Sequence, residues 1–208
     1  MSREILVVKK EKLFEKKNFL GFLPLEEANF IDIINKNHEF KERNDDLENN
    51  PDYIQAVPYV WLINEREKKV FLYQRALSKG DYKEKRHLNK YSGGIGGHID
   101  KDTEEKSLNP LRDAMIREMR EETVMQNYPN PECLGYIYVD YSVFDKVHLG
   151  VIAIAKTDEK VRCGDGMAHG DFYSIEEAEE ILKNPENEVE NWTKVSWPHI
   201  KNYLQSMN

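Results

Sequence analysis

Tyr91-Ser-Gly-Gly-Ile-Gly-Gly-His-Ile99, a charged stretch, and then Asn109-Pro-Leu-Arg-Asp-Ala-Met-Ile-Arg-Glu-Met-Arg-Glu-Glu-Thr-Val-Met125 join a glycine turn to a helix that carries a tight group of carboxylates. Asn109 is a good N-cap and Pro110 suits the first helical position, where no backbone donor is needed, so the spacing predicts a helix from residue 110. Glu121 and Glu122 follow Glu118 by three and four residues, which projects all three from neighbouring faces toward one point. Carboxylates this close repel one another unless positive charge enters, so the group suits a hard divalent cation. Arg117, four before Glu121, is placed to pair with it and hold it in one orientation. Leu111, Met115, Ile116 and Met119 form an apolar stripe for the core, with Ala114 and the glutamates expected on the other side.

These residues resemble the Nudix hydrolases, whose box reads G-x5-E-x7-R-E-U-x-E-E-x-G-U, with U aliphatic. Gly97 and Arg117-Glu118-Met119-Arg120-Glu121-Glu122 match its two ends. The chain departs from the pattern in three places. The Gly97 to Arg117 segment is six residues longer, Asn109 stands where the first glutamate belongs, and Val124 replaces the late glycine. The family's metal ligands carry over to Glu118, Glu121 and Glu122, with the Gly97 carbonyl as a further ligand. Glu104-Glu105 is a candidate substitute for the absent first glutamate. Without its glycine, the helix is expected to run on toward Asn127, before Pro129-Asn130-Pro131 breaks it.

The resemblance covers roughly residues 54 to 200. Ile54 to Ile63 and Val70 to Gln74 read as strands joined by the charged turn Asn64-Glu65-Arg66-Glu67-Lys68, and Cys133 to Val143 and Val147 to Ala155 read as another pair. Ser174-Ile175-Glu176-Glu177 is a capping box opening a helix through Leu182, and a second helix is expected from about Trp192 to Leu204. The order implies an α+β chain, a Nudix-like α/β/α sandwich with a mixed sheet between helices. A length of 208 residues suggests a single Nudix-like domain, 1–208. Within it, 1–53 form an N-terminal extension packed on the core, and 54–208 the Nudix core with its C-terminal helices. In the extension, Ile5-Leu-Val-Val8 reads as a strand and Leu25 to Ile34 as a helix, with Lys41 to Asp52 a surface connection or helix end.

With 39% hydrophobic residues the chain has enough for a core, and no apolar run approaches a membrane span. No signal peptide is visible, and Cys133 and Cys163 lack a metal-type spacing, so the composition fits a cytoplasmic enzyme with reduced cysteines. A net charge of −8 argues against general nucleic-acid binding. A small phosphorylated nucleotide needs only a few local cations, and Arg75, Lys79, Lys83, Lys85, Arg86 and Lys90 supply a basic segment before the glycine turn. Similar arginines in the family face the site, which makes Arg75 the preferred phosphate contact, with Gly96 and Gly97 letting backbone approach the ligands. Dinucleotide and P-loop fingerprints fit Gly93 to Gly97 poorly: no Gly-Lys-Ser/Thr follows, and the helix begins a dozen residues later.

His98 and His148 read as hydrogen-bonded structural residues. Among Tyr59, Trp61, Tyr91, Tyr138, Tyr141 and Phe144, Tyr91 is the preferred base contact, strand aromatics being usually core. The glycine-rich stretch Cys163 to Asp171 suits a mobile segment over a substrate or a plain surface loop. Its Asp165, His169 and Asp171 stand beside Glu121 as candidates for the general base, and the sequence does not rank them. The resemblance implies Mg²⁺- or Mn²⁺-dependent hydrolysis of the pyrophosphate bond of a nucleoside diphosphate linked to another moiety. Glu118 and Glu122 would hold the metal, with Glu121 as ligand or base and Arg117 orienting it. Many family members are homodimers, and no residue of this chain decides that point. The alternative is a Nudix-like module that binds a nucleotide without hydrolysing it, although such a module would not require three carboxylates on one metal.

Overall fold

A computed structural model describes residues 3–76 and 89–207. In chain order these form β1 (Glu4–Lys9), α1 (Lys10–Leu13), β2 (Gly21–Pro24), α2 (Phe30–Asn37), β3 (His38–Glu42), α3 (Asp45–Glu48), β4 (Tyr53–Asn64) and β5 (Lys69–Arg75). There follow β6 (Tyr91–Ser92), β7 (Gly94–Ile95), α4 (Lys101–Glu104), α5 (Pro110–Glu122), β8 (Thr123–Val124), β9 (Glu132–Tyr138) and β10 (His148–Lys156). The chain closes with β11 (Arg162–Cys163), β12 (Met167–Tyr173), α6 (Ile175–Lys183) and α7 (Asn191–Ser206). Together they make the mixed sheet with helices of a Nudix α/β/α sandwich. The chain divides into two compact units: Met1–Tyr59 with Gly96–Met115 and Cys133–Ala153, and Val60–Ile95 with Ile116–Glu132 and Ile154–Asn208.

In the first unit, β1 pairs antiparallel with β3, Leu6 opposite Phe40, and with the start of β4, Val8 opposite Ile54. Ile5, Val7 and Leu47 form a buried cluster against Tyr53. The segment from 41 to 52 is therefore partly structural, since it holds the end of β3 and the short helix that delivers Leu47. β2 pairs antiparallel with β9, Leu23 opposite Tyr136. An aromatic cluster packs beside that pair, with Phe30 edge-on to Tyr136 at 5.0 Å and Phe14 4.8 Å from Tyr138. Leu25–Glu27 form a short 3-10 turn, Ala28 is extended, and helix α2 begins at Phe30, where the Asn29 side chain accepts from Asp32 N. β9 ends at Tyr138, short of the expected Val143.

In the second unit, β5 pairs with the end of β4, Ile63 opposite Val70, and with β12, Phe71 opposite Phe172. The turn at 65–68 closes through Lys68 at φ 52° and a bond from Glu67 N to the Asn64 side chain. β6 lies on β5, Tyr91 opposite Gln74, and β7 on β4, Ile95 opposite Val60. Trp61 is fully buried, donating to Ser196 Oγ at 3.2 Å, and its ring leaves no room for a side chain at Gly93. The capping box forms as its residues dictate: Ser174 N donates to Glu177 and Glu177 N to Ser174 Oγ. No helix among the described residues is long and apolar enough to cross a membrane.

Candidate active site

Helix α5 brings the carboxylates together and fixes their angle. Its first turn is capped by Asn109, whose side chain accepts from Arg112 N at 3.1 Å. Leu111, Met115 and Met119 are buried, as the stripe requires, whereas Ile116 is half-buried. Ala114, expected on the carboxylate side, is also fully buried. The helix stops at Glu122 and does not run on to Asn127, because Thr123 and Val124 enter β8 and pair antiparallel with β11. Thr123 Oγ1 donates to Met119 O at 2.6 Å, and Gly164 N donates to Glu122 O at 2.8 Å. The β-branched Thr123 and Val124 thus end the helix by passing into a ladder.

Arg117 Nη1 donates to Glu118 Oε1 at 2.7 Å and to Glu121 Oε2 at 3.0 Å, so one guanidinium holds two of the three carboxylates. Glu118 is buried and Glu121 is exposed. Glu122 is the exceptional group. Its Oε2 is buried with no hydrogen-bond partner, and Oε1 lies 3.9 Å from Arg75 Nη1, beyond hydrogen-bond reach. Its carboxyl is raised to about 8, chiefly by burial and further by Glu118, Glu190 and Glu121, against the opposing pull of Arg75. A carboxyl in that position takes up a proton or a cation.

The orphaned oxygen and the all-oxygen donor set fit a hard ion such as Mg²⁺ or Mn²⁺. Among the described residues no three His, Cys, Asp or Glu side chains are already gathered to hold a metal, so Glu121 would have to turn from Arg117 to complete a ligand set.

Arg75 stands beside these carboxylates, at the end of β5. Its Nε donates to Glu190 Oε1 at 2.5 Å, and its guanidinium lies 5.6 Å over the Tyr73 ring. Glu190 is buried, and the sequence does not single it out. At the start of α7 an acidic residue reads as a helix cap, and nothing local distinguishes it from Glu186 or Glu188. Lys90 contributes its carbonyl to Arg75 N, and Lys79, Lys83, Lys85 and Arg86 lie outside the described residues.

Gly96 and Gly97 belong to the first unit. Gly96 is required there because a Cβ would overlap the Pro58 carbonyl oxygen. Glu104, the candidate replacement for the first glutamate, is buried and closes its own turn by accepting from Asp100 N at 2.7 Å, whereas Glu105 is exposed. His98 and His148 are hydrogen-bonded: His98 Nε2 is 2.7 Å from Gln55 Oε1 and 3.3 Å from His148 Nε2, and His148 Nδ1 is 2.7 Å from Phe144 O. A proton on His148 Nδ1 serves Phe144 O, and one on His98 Nε2 points to Gln55 Oε1 and is shared with the more distant His148 Nε2.

The stretch Cys163 to Asp171 is mostly ladder, not loop, since only 164–166 separate β11 from β12. Asp165 is exposed in that turn. His169 stands edge-on to Tyr91 at 5.9 Å, and Asp171 accepts from Phe172 N at 2.8 Å. Tyr91 is half-buried, whereas Tyr59, Trp61 and Tyr138 are core. Phe144 stacks on His148, and Tyr141 is exposed.

A capped helix presenting Arg117, Glu118, Glu121 and Glu122 within this sheet-and-helix architecture places the chain in the Nudix hydrolase superfamily, to which it belongs. Tm1382, a candidate Nudix hydrolase of known structure, is similar at a TM-score of 0.74 and 27% identity, over 96% of this chain and 99% of that one. Protein YmaB of Bacillus subtilis (strain 168) is 31% identical over 160 residues, which cover 74% of this chain and 75% of that protein. The Nudix domain of Shewanella oneidensis NrtR, solved with ADP ribose, shares the fold at a TM-score of 0.50 and 15% identity, covering 73% of this chain and 86% of that one. No family model matches the chain.

Proposed function

We propose that the chain is a single-domain, divalent-metal-dependent hydrolase of the pyrophosphate bond in a nucleoside diphosphate linked to another moiety. The observation that carries this reading is Glu122, a carboxyl with a buried, unpartnered oxygen next to Glu118 and Arg75. The match to Tm1382 along nearly the whole of both chains supports one domain. Glu118 and Glu122 would hold the ion with Glu121 as a further ligand, and the family resemblance adds the Gly97 carbonyl to that set. When bound, Mg²⁺ or Mn²⁺ offsets charge on the phosphate oxygens and lowers the pKa of the attacking water. Arg117 keeps Glu118 and Glu121 aimed, and Arg75 steadies the phosphate that does not react. Glu121 is exposed and held by a single guanidinium, so it is able to exchange between ligand and base. Asp165, His169 and Asp171 remain candidates for the base. Retention of Arg117, Glu118, Glu121 and Glu122 together counts against a non-hydrolysing module.

The test is a panel of nucleoside di- and triphosphates, ADP-ribose, NADH, dinucleoside polyphosphates and sugar nucleotides. Phosphate is counted after phosphatase treatment, with Mg²⁺ or EDTA, for wild type and Glu122→Gln. Metal-dependent turnover lost in the variant is expected. Turnover in EDTA, or equal turnover by Glu122→Gln, would overturn the assignment. Comparing Glu121→Gln with Asp165→Asn, His169→Gln and Asp171→Asn under the same conditions identifies the base.

A further inference from the structure

Glu190 occupies the N-cap position of α7, a place usually taken by Ser, Thr, Asp or Asn, and its side chain makes no capping bond there. Its carboxylate reaches back instead to Arg75 Nε. The backbone makes this reach rigid. Tyr91 N donates to Glu188 O at 2.8 Å and Glu190 N to Tyr91 O at 3.0 Å, so Val189 runs parallel to Tyr91. Tyr91 in turn pairs with Gln74, and Arg75 N donates to Lys90 O at 2.9 Å. Arg75 and Glu190 are therefore each one residue removed from ladder positions on either side of Tyr91. Their side chains are only 22% and 7% exposed, which makes the pair a partly desolvated, charge-assisted contact rather than a surface one.

We propose that Glu190 is a positioning residue for substrate binding: by holding Arg75 through Nε it fixes the direction of the Nη groups, so that they meet the phosphate arriving beside Glu122. A guanidinium has donors on several sides, and with Nε on Glu190 the Nη1 end of Arg75 stands 3.9 Å from Glu122 Oε1. The substrate's identity rests on the hydrolase reading above, whereas the coupling of Arg75 to Glu190 does not.

Pyrophosphate binding is measured calorimetrically in EDTA for wild type, Glu190→Gln, Arg75→Ala and the double variant. Each single variant is expected to weaken binding about tenfold, and the double to be no weaker than Arg75→Ala, because both changes remove one directed cation. Arg75→Lys, which keeps the charge but lacks the fork, should behave like Glu190→Gln, and it serves as the test if that variant folds poorly. In turnover with Mg²⁺, Glu190→Gln should raise KM about tenfold while lowering kcat far less, as expected for lost uniform binding. The proposal is overturned if wild type does not bind pyrophosphate in EDTA, if Glu190→Gln binds it as wild type does, or if the two substitutions add. A protein with metal-dependent turnover and additive variants loses this proposal alone. A protein with the coupled binding but no turnover on any substrate loses the hydrolase reading alone.

Discussion

Replacing Glu122 by glutamine is expected to stabilise the metal-free protein, increasingly so as the pH rises. The folded chain keeps the Glu122 proton to about pH 8, whereas an unfolded chain releases it near the ordinary 4.5. Between those values the folded state binds more protons, so wild-type stability is complete below about pH 4.5 and falls as pH rises toward 8. At about 1.4 kcal/mol per pH unit, the window from 4.5 to about 8 sets a ceiling of about 5 kcal/mol. The side chain is 19% exposed, and solvent at its rim reduces that to roughly 2–4 kcal/mol. Glutamine matches the shape of the protonated carboxyl and cannot ionise, so its stability should carry no such slope. Urea unfolding in EDTA at pH 5, 7 and 8.5 tests this: the two proteins should be nearly equal at pH 5, and glutamine ahead at pH 8.5. A difference independent of pH, or a wild type that is the more stable at pH 8.5, refutes the reasoning. Excess Mg²⁺ should flatten the wild-type slope and leave Glu122→Gln unmoved.

Three further substitutions follow from contacts of the backbone. At Gly164 an added Cβ would lie 2.6 Å from Glu122 O and 3.0 Å from Glu121 O, atoms that cannot swing aside. Gly164→Ala should cost about 1–3 kcal/mol and lower kcat by shifting the helix end, as thermal melts and turnover will show. Gly96→Ala, which forces a methyl into the Pro58 carbonyl, should cost more than about 3 kcal/mol or displace the glycine turn, and urea midpoints measure it. Ser174→Ala breaks the capping box and should cost about 1 kcal/mol with turnover unchanged.

What the sequence made legible was local. Asn109-Pro110, the Asn64 to Lys68 turn and the Ser174 box each specify their own hydrogen bonds, and each forms as read. The carboxylates of α5 were legible for the same reason, since helical spacing alone sets their angle. The misreadings concern partners distant along the chain. Thr123 and Val124 end the helix only because Arg162 and Cys163 arrive to pair with them. The glycines from 164 to 170 suggested a loop, but Gly170 sits in a strand with a Cβ position crowded by Phe71 and Tyr73. The helical pattern from Leu25 is met by a 3-10 turn over Leu25–Glu27 and then broken at extended Ala28 before α2 begins. Glu190 was invisible because its role depends on a bridge to Tyr91, ninety-odd positions away, which no spacing rule anticipates.

Helix α5 is closed at both ends, by Asn109 in front and by the β8–β11 ribbon behind. Such a helix behaves as a screw clamped at head and tip. One residue inserted between Pro110 and Arg117 would rotate every later carboxylate by about 100° and carry Glu122 off Arg75. Length can change without that rotation only ahead of the clamp. The six residues by which the chain exceeds the family spacing fall there, before Asn109, where α4 and the exposed Leu108 lie. An insertion or deletion at 105–108, past the buried Glu104, should therefore be tolerated, whereas the same change a few positions later should be lethal to the site.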